Sequence, residues 1–579
     1  MYNYKFDIEK SKDNYNILKI YKNDKSIYMG SKYNMKNKII DFINQFKECD
    51  DKSIFLIFGF GSGECIFELS QKFKNNKILI FEPNYNLIKY VQENISEFEF
   101  FNSSNNIELK YYNSSALEEL KKSISVFDIT KIKYGFLCNY EKVYMDRFTE
   151  FNNDVKNFLS DTVLYRNTSI VFARRWFDTL MGNLPEILTS SPIDILKGKY
   201  KDIPAVIVSA GPSLEKNIHE LKNINDKMLV LSGGRTLKPL KDIDVSPDLL
   251  GIVDPGEIAY ELVKEYIHSE ESTLLFYEGT NEKVTKDYIG NKYIFTQSNF
   301  IREIFQMNIS DMNLGGSVAH TLTGTAVLLG CNPIVFIGQD LAYLKEKRYG
   351  DIALTKFDKE KEITLGLVGG KALKVEGVNG ELLDTNEELF NFKRGLENII
   401  KNNSDVTFIN ATEGGALIKG TINMSLKEVI SKYSLKDKGN YIKENNHSVD
   451  VNHMIDNTVV SLKNIIKSNK NIIAKSKEAL KYIELIKSEL RVYGKVKNNY
   501  YLNKMDEIDE DIKKSYKDLE VLSSLIYPVV YTILTGKKLS EYKDIIEKNE
   551  FLYKSVLAVS EYAMKKLECA LEQINNMER

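Results

Sequence analysis

Hydrophobic and polar positions divide the chain into zones of different texture. Up to about residue 160, short apolar runs alternate with polar, helix-compatible stretches. The run Ile54-Phe55-Leu56-Ile57-Phe58 leads into Gly59-Phe60-Gly61-Ser62-Gly63; an amphipathic stretch follows, and Lys77-Ile78-Leu79-Ile80-Phe81 closes on Glu82. Strand, glycine turn, helix and strand in that order predict a βαβ unit of a parallel sheet. Residues 161–200 read as a helical connector, with a helix from Asn167 to Leu184 closed by Pro185 and Pro192. A second α/β zone extends to about residue 440. Its predicted strands are Ala205–Ser209, Met228–Ser232, Leu249–Val253, Leu274–Tyr277 and Ile334–Ile337, with an apolar helix over 318–330. After about 445 glycine nearly vanishes. Leu462, Ile465, Ile466, Ile473, Leu480, Ile483 and Ile486 then recur at helical spacing, which predicts a long helix with one apolar stripe. Further helical stretches are predicted over 500–534 and 540–577, with Pro528 as a kink or boundary. The expected organisation is an α/β chain: a Rossmann-like N-terminal domain (1–160), a central doubly wound parallel-sheet domain (161–440) and a C-terminal helical bundle (441–579).

Length and composition narrow the function classes. A chain of 579 residues is long enough for roughly three to four domains. Its 79 Lys and Arg balance 81 Asp and Glu, a formal net charge of −2, which argues against a basic nucleic-acid footprint spread over the whole chain. No apolar run approaches the roughly 18 residues of a membrane span, and the polar start Met1-Tyr2-Asn3-Tyr4-Lys5 has no signal-peptide core. Neither nucleic acid nor membrane is expected as a partner. None of the five cysteines forms a C-x-x-C pair, and the five histidines include no H-E-x-x-H. These features predict a reducing, cytoplasmic setting and no metal site.

Glycine-rich turns after predicted strands carry the candidate chemistry. Gly59-x-Gly61-x-Gly63 with Glu82 at the end of the next strand suits a nucleotide or S-adenosylmethionine, or merely tight strand–helix packing. Val206-Ile207-Val208-Ser209-Ala210-Gly211-Pro212-Ser213-Leu214 runs a strand into a small-residue turn. Ser213 is expected as helix N-cap, and exposed N–H groups there suit a phosphate. The turn lacks the Gly-Lys-Ser/Thr of an ATPase P-loop. Leu231-Ser232-Gly233-Gly234-Arg235 and Ile252-Val253-Asp254-Pro255-Gly256 follow strands of the same zone, where Asp254 holds a sugar hydroxyl or caps a helix. Asn313-Leu314-Gly315-Gly316-Ser317-Val318-Ala319-His320 places a second anion-binding helix N-terminus beside a histidine that is either catalytic or packed. Gly338-Gln339-Asp340 puts an acid directly after a buried strand, as a general base, an orienting group or a cap. Asn410-Ala411-Thr412-Glu413-Gly414-Gly415-Ala416 is compatible with lining the same crevice.

Taken in order, Gly-Pro-Ser-Leu at 211–214, Asp254-Pro255, Gly-Gly-Ser-Val-Ala at 315–319, Gly-Gln-Asp-Leu-Ala at 338–342 and Asn-Ala-Thr-Glu-Gly-Gly-Ala at 410–416 resemble the motility accessory factor (Maf) flagellin glycosyltransferases. The resemblance extends over nearly the whole chain and is strongest over 200–420. It implies an enzyme that moves a nonulosonic acid, pseudaminic or legionaminic, from its CMP-activated form to Ser or Thr of flagellin, with no tightly bound cofactor. The Ala-Gly-Pro-Ser-Leu turn also resembles the CMP-binding turn of bacterial sialyltransferases, although Ala210 replaces an asparagine of their fuller form. It implies that Gly211–Leu214 and Gly316–Val318, with Ser213 and Ser317, hold phosphate and cytidine, while Ser209, Gly233, Gly234, Asp254, Gly315, Gly338, Gln339, Thr412 and Glu413 complete the donor site. Asp340 is expected to orient or deprotonate the acceptor, with His320 second. Many members carry a histidine shortly after Gly-Gln-Asp-Leu-Ala-Tyr; here Lys345-Glu346-Lys347-Arg348-Tyr349-Gly350 has none. Residues 200–345 also resemble archaeal 6-hydroxymethylpterin diphosphokinases, which would need ATP and magnesium. A non-catalytic flagellin-binding chaperone and a methyltransferase built on Gly59–Gly63 are the other readings. The apolar stripe after 445 is expected either to dock flagellin or to pack on its own domain.

Overall fold

The computed structural model describes residues 4–577 other than 23–24, 97, 114–115, 125, 225, 269–270, 313–314, 357, 359–372, 445–449, 517–519 and 536–541. Asn313 and Leu314 of the Gly-Gly-Ser turn therefore lie outside the described residues. Internal contacts divide the chain into two compact units, Met1–Val171 with Val530–Lys537, and Phe172–Val529 with Lys538–Arg579. The division falls inside one helix, Met145–Leu188, which also contains position 160. That helix runs through Pro185 into its last turn and does not stop at Leu184.

The first unit starts with an antiparallel sheet of β1 (Lys5–Lys10), β2 (Asn16–Lys22) and β3 (Lys25–Tyr28). A parallel sheet follows, formed by β4 (Ile54–Phe58), β5 (Lys77–Glu82), β6 (Ile107–Tyr111) and β7 (Ile132–Phe136), in the order β6-β5-β4-β7. Every residue of β4 is buried, as expected for a parallel strand covered on both faces. The predicted βαβ unit is present: β4, the glycine turn, the helix Glu64–Lys72, then β5.

The second unit is built on a nine-stranded parallel sheet. Its strands are β8 (Ser191–Pro192), β9 (Ala205–Val208), β10 (Leu229–Gly233), β11 (Leu249–Gly251), β12 (Thr273–Phe276), β13 (Lys292–Ile294), β14 (Ile334–Ile337), β17 (Phe408–Asn410) and β18 (Ile422–Asn423). They lie in the order β18-β17-β14-β9-β10-β11-β12-β13-β8. From β9 the chain winds outward through β10 to β13, then crosses back through the helix Val318–Leu329 to place β14 on the other side of β9. That reversal creates a crevice at the carboxyl ends of β9 and β14, where open α/β sheets bind ligands. The short hairpin of β15 (Leu373–Glu376) and β16 (Leu382–Thr385) is a separate element.

The helices Val451–Tyr493, Asn499–Tyr516 and Tyr542–Asn575 belong to the same compact unit as this sheet, whereas the segment Val530–Lys537 belongs to the first. In Val451–Tyr493 the buried positions include Ile455, Thr458, Leu462, Ile465, Asn469, Ile472, Ser476, Ala479, Ile483 and Ile486. Their alternating three- and four-residue spacing is the seam of a coiled coil. Tyr542–Asn575 presents a matching seam of Tyr553, Val556, Ser560, Ala563, Leu567, Ala570 and Ile574. The pairs Lys470–Glu568, Lys477–Glu561 and Lys487–Glu550 fix the two helices as antiparallel. The apolar stripe is thus consumed inside its own unit and is not a free docking face. Pro528 sits within the helix Ser523–Thr535 and does not bound it.

Candidate functional site

A cavity of about 360 Å³ opens where the turns after β9, β10, β11 and β14 converge. Ser209, Gly211, Gly233, Gly234, Asp254, Gly316, Ser317, Gly338, Gln339 and Asp340 all line it. A larger groove of about 790 Å³ lies among Phe300, Ser461, Asn464, Lys467, Ser468 and Asn471. That groove gathers no turn from a strand end, so the smaller cavity is the candidate site.

The Ser-Ala-Gly-Pro-Ser turn is not an open phosphate cradle. Ser213 N–H donates to Asp340 Oδ2 at 2.8 Å and its hydroxyl donates to Asp340 Oδ1. Ser209 N–H donates to Ile337 O at 3.0 Å, Gly211 N–H to Gly338 O at 2.8 Å, and Leu214 N–H to Gly211 O at 3.0 Å. The anion seated on this turn is the protein's own carboxylate. Ser213 makes no side-chain cap, and the helix it precedes, Leu214–Asn217, is a single turn. Pro212 and Leu214 shape the turn but do not line the cavity.

Asp340 therefore ties the turn after β14 to the turn after β9. It is 2% exposed, and burial raises its pKa to about 6 despite the two bonds from Ser213. Gly211 permits the approach: a Cβ there would lie 2.5 Å from both Asp340 Oδ2 and Gly338 O. Beside this tie, the Ser209 hydroxyl donates to Gln339 Oε1, and Gln339 N–H donates to Thr412 Oγ1 at 3.2 Å. The Glu413 carbonyl accepts from Lys216 Nζ at 2.5 Å. Thr412 and Glu413 brace the turns from behind and are not among the lining residues.

The second predicted anion site keeps its geometry. Ser317 is the N-cap of Val318–Leu329, accepting from Ala319 N–H at 3.4 Å, and the helix ends at Gly330 in the left-handed region. Gly316, Ser317, Val318 and Ala319 present this N-terminus to the cavity. The first N–H groups of a helix have no intrahelical acceptor and carry the positive end of its dipole. Gly315 and Gly233 let neighbours pack close: a Cβ would reach His320 Nδ1 at 2.4 Å and Val318 Cγ1 at 2.7 Å, respectively.

His320 does not face the cavity. It is 1% exposed, its Nε2 lies 2.8 Å from Phe392 O, and burial lowers its pKa. Helix packing took it, because position 320 falls on the inner face of a buried crossover helix. Asp254, by contrast, is exposed at the cavity wall. Its Oδ1 accepts from Gly256 N–H at 2.6 Å, and Oδ2 has no donor among the described residues.

Sequence reasoning missed the cationic side of the cavity. Arg235, Arg348, Tyr349 and Glu388 line it. Arg348 makes a bidentate pair with Glu388 at 2.8 and 2.9 Å, and Arg235 pairs with the buried Asp358 at 2.8 Å. Both guanidinium groups lie over the Tyr349 ring, at 4.3 Å (Arg235) and 5.2 Å (Arg348). The available signal was the run Lys345–Tyr349, three cations and an aromatic in the loop that follows the strand-end acid.

The N-terminal glycine turn is filled by its own chain. Glu82 is fully buried and accepts from Phe60 N–H (2.9 Å), Asn84 N–H (3.0 Å) and the Tyr140 hydroxyl (2.6 Å). Tyr140 Oη in turn accepts from Gly61 N–H at 2.8 Å, and its ring lies where a Cβ on Gly59 would be. The acid that would hold a ribose, and the N–H groups that would meet a phosphate, are already paired. The methyltransferase reading loses its ligand-holding groups.

Comparison with known proteins bears on the fold around this cavity. Residues 178–346 match the family described as 6-hydroxymethylpterin diphosphokinase MptE-like. The whole fold resembles that of a Maf glycosyltransferase from Magnetospirillum magneticum AMB-1, at a TM-score of 0.57 and 13% identity over 99% of this chain and 93% of the other. No curated protein matches the sequence. The chain thus shares an α/β fold with a Maf glycosyltransferase and carries an MptE-like segment at its candidate site, the segment that contributes β9, β10, β11, β14 and the Val318–Leu329 helix.

Proposed function

We propose that this chain is a cytoplasmic glycosyltransferase that transfers a nonulosonic acid, pseudaminic or legionaminic, from its CMP-activated donor to Ser or Thr of flagellin. The observation that carries the reading is the cavity at the sheet reversal, walled by the open N-terminus of Val318–Leu329. The fold likeness to a Maf glycosyltransferase supports the reaction class.

In this reading the bond from the sugar's anomeric carbon to the phosphate oxygen of CMP breaks, and the carbon passes through an oxocarbenium-like state. The charge that develops on the departing CMP phosphate is met by N–H groups at Gly316–Val318 and the Ser317 hydroxyl. The acceptor oxygen bonds to that carbon and gives up its proton. Asp340 is a poor recipient, because both of its oxygens are occupied by Ser213 and the group is almost fully buried. Asp254, exposed on the cavity wall with one oxygen undirected, is the better base, and Asp340 is a positioning residue.

Isothermal titration with CMP tests the site. Binding is expected in the wild type, and its absence overturns the reading. A second reading, a diphosphokinase, is favoured by the match over 178–346. Titration with ATP and Mg²⁺ separates the two, since tight ATP binding without CMP binding would select the diphosphokinase.

A further inference from the structure

The turn that carries Asp254 is held from outside. The backbone carbonyls of Ile252, Asp254, Pro255 and Gly256 all accept bonds from other parts of the chain. Thr280 Oγ1 donates to Ile252 O at 2.7 Å, and Asn281 N–H donates to Asp254 O at 3.1 Å. Asn281 Nδ2 donates both of its hydrogens, to Gly256 O at 3.0 Å and to Pro255 O at 3.3 Å. Arg175 Nε also donates to Pro255 O, at 2.9 Å. Asn281 is fully buried, and the other side of its amide is fixed as well: Oδ1 accepts from Lys283 N–H at 3.0 Å, capping the helix Glu282–Asp287. Asn183, equally buried on the helix Met145–Leu188, holds the same loop from behind. It donates to Thr280 O at 2.7 Å and to Glu278 O at 3.1 Å. Neither Asn281 nor Arg175 lines the cavity.

We infer that Asn281, assisted by Arg175, is the positioning residue for Asp254 and aims its free carboxylate oxygen into the cavity. The inference rests on the reading of Asp254 as the base. Asp254 is exposed, so packing does not set the direction of its side chain. The bond from Gly256 N–H to Oδ1, at 2.6 Å, does. Pro255 has no N–H, so of the two residues that follow Asp254 only Gly256 offers one. A Cβ on Gly256 would lie 2.9 Å from Oδ1, so the approach is close. The bond requires residues 254 and 256 to keep their relative placement, and Asn281 grips the carbonyls of both. Oδ1 is thereby turned back on the chain, and Oδ2 is left for the proton of the acceptor. A catalytic group must be held within about 0.5 Å of its working geometry. An exposed carboxylate reaches that precision only through the backbone beneath it.

The test is a double-mutant cycle on the full chain, read by CMP affinity and by sugar transfer to flagellin. The donor is whichever of CMP-pseudaminic and CMP-legionaminic acid the wild type transfers. Asn281→Ser keeps an oxygen to cap Glu282–Asp287 and removes the reach to Pro255 and Gly256. Transfer at saturating donor is expected to fall by about ten- to a hundredfold, the cost of a misplacement of about 1 Å. CMP affinity should stay within about twofold of wild type. In an Asp254→Asn background the same substitution should lower transfer no further, because the carboxylate it positions is gone. Arg175→Ala, at a half-buried position, runs the same cycle with a smaller loss, and it decides the matter if Asn281→Ser does not fold. Equal losses in the two backgrounds, or a parallel fall in CMP affinity, overturn the positioning role and leave Asp254 in place. Near wild-type transfer by Asp254→Asn alone overturns Asp254 as the base, and this inference with it. A wild type that transfers neither donor overturns the glycosyltransferase reading itself.

Discussion

The chain builds a strand, a glycine turn and a helix in both of its units, and the two turns meet different fates. In the first unit the turn after β4 is closed by Glu82 from the neighbouring β5 and by the Tyr140 hydroxyl. In the second unit the turn after β9 is closed by Asp340 from the neighbouring β14. In each case a buried carboxylate sits where an incoming phosphate was expected, so the small residues serve close approach of the protein to itself. What differs is the space beyond. The first turn is backed by the Tyr140 ring. Both turns border a sheet reversal, between β4 and β7 in the first unit and between β9 and β14 in the second, but at the second the turns after β10 and β11 and the N-terminus of Val318–Leu329 leave a cavity beside it. A ligand site here depends on the room left at the reversal, which neither the glycine motif nor the strand order fixes alone.

Acids on the two sides of this comparison should behave differently on substitution. Asp254→Asn is expected to reduce sugar transfer by about 10²- to 10⁴-fold, the usual loss of a positioned base, while CMP binding persists. Transfer at near wild-type rate would remove Asp254 from the mechanism. Glu82→Gln should leave transfer unchanged and alter only how stability depends on pH. Burial raises the Glu82 pKa to about 7 from its ordinary 4.5. Between those values the folded chain holds a proton that the unfolded chain has released. The contribution of Glu82 to the stability of the first unit is therefore greatest below pH 4.5 and is lost as pH rises through 7, by about 3 kcal/mol at most. Hydrogen exchange over residues 54–63, corrected for intrinsic rates, should show protection declining across this window. Glu82→Gln should flatten that decline, and an unchanged slope in the variant would show that another group titrates.

The sheets were readable from the sequence because parallel strands covered on both faces are short, continuous apolar runs, as at Ile54–Phe58 and Ile334–Ile337. Strands at the margins, Lys292–Ile294 and Ile422–Asn423, are too short and too polar to give that signal. The cavity residues from Ser209, Gly233, Asp254, Gly316–Ser317 and Gly338–Asp340 were legible because each follows a strand end or opens a helix. Their individual roles were not. Whether Ser213 N–H meets a ligand or Asp340 depends on a contact spanning 127 residues, which local pattern cannot express. Arg348 and Tyr349 were overlooked for a similar reason: their significance comes from Glu388 and Arg235, both remote in sequence.

The smallest expected effects come from the glycines, and they probe the comparison most directly. At Gly211 an added Cβ would fall 2.5 Å from Asp340 Oδ2 and from the Gly338 carbonyl, so Gly211→Ala must push the two turns apart. Overpacking of this kind costs about 1–3 kcal/mol. Because Asp340 borders the cavity, CMP affinity should fall along with stability. At Gly59 the added Cβ would meet the Tyr140 ring at 2.5–2.7 Å, on a backbone with φ of +96°. Gly59→Ala should therefore lose at least as much stability, through both overpacking and backbone strain. Its CMP affinity should stay within about twofold of wild type, as for a site that shares no partner with the cavity. Paired thermal melts and CMP titrations of the two variants read this out. A loss of CMP affinity in Gly59→Ala equal to that in Gly211→Ala would mean that the N-terminal turn takes part in donor binding, and the contrast between a filled turn and a working one would fail.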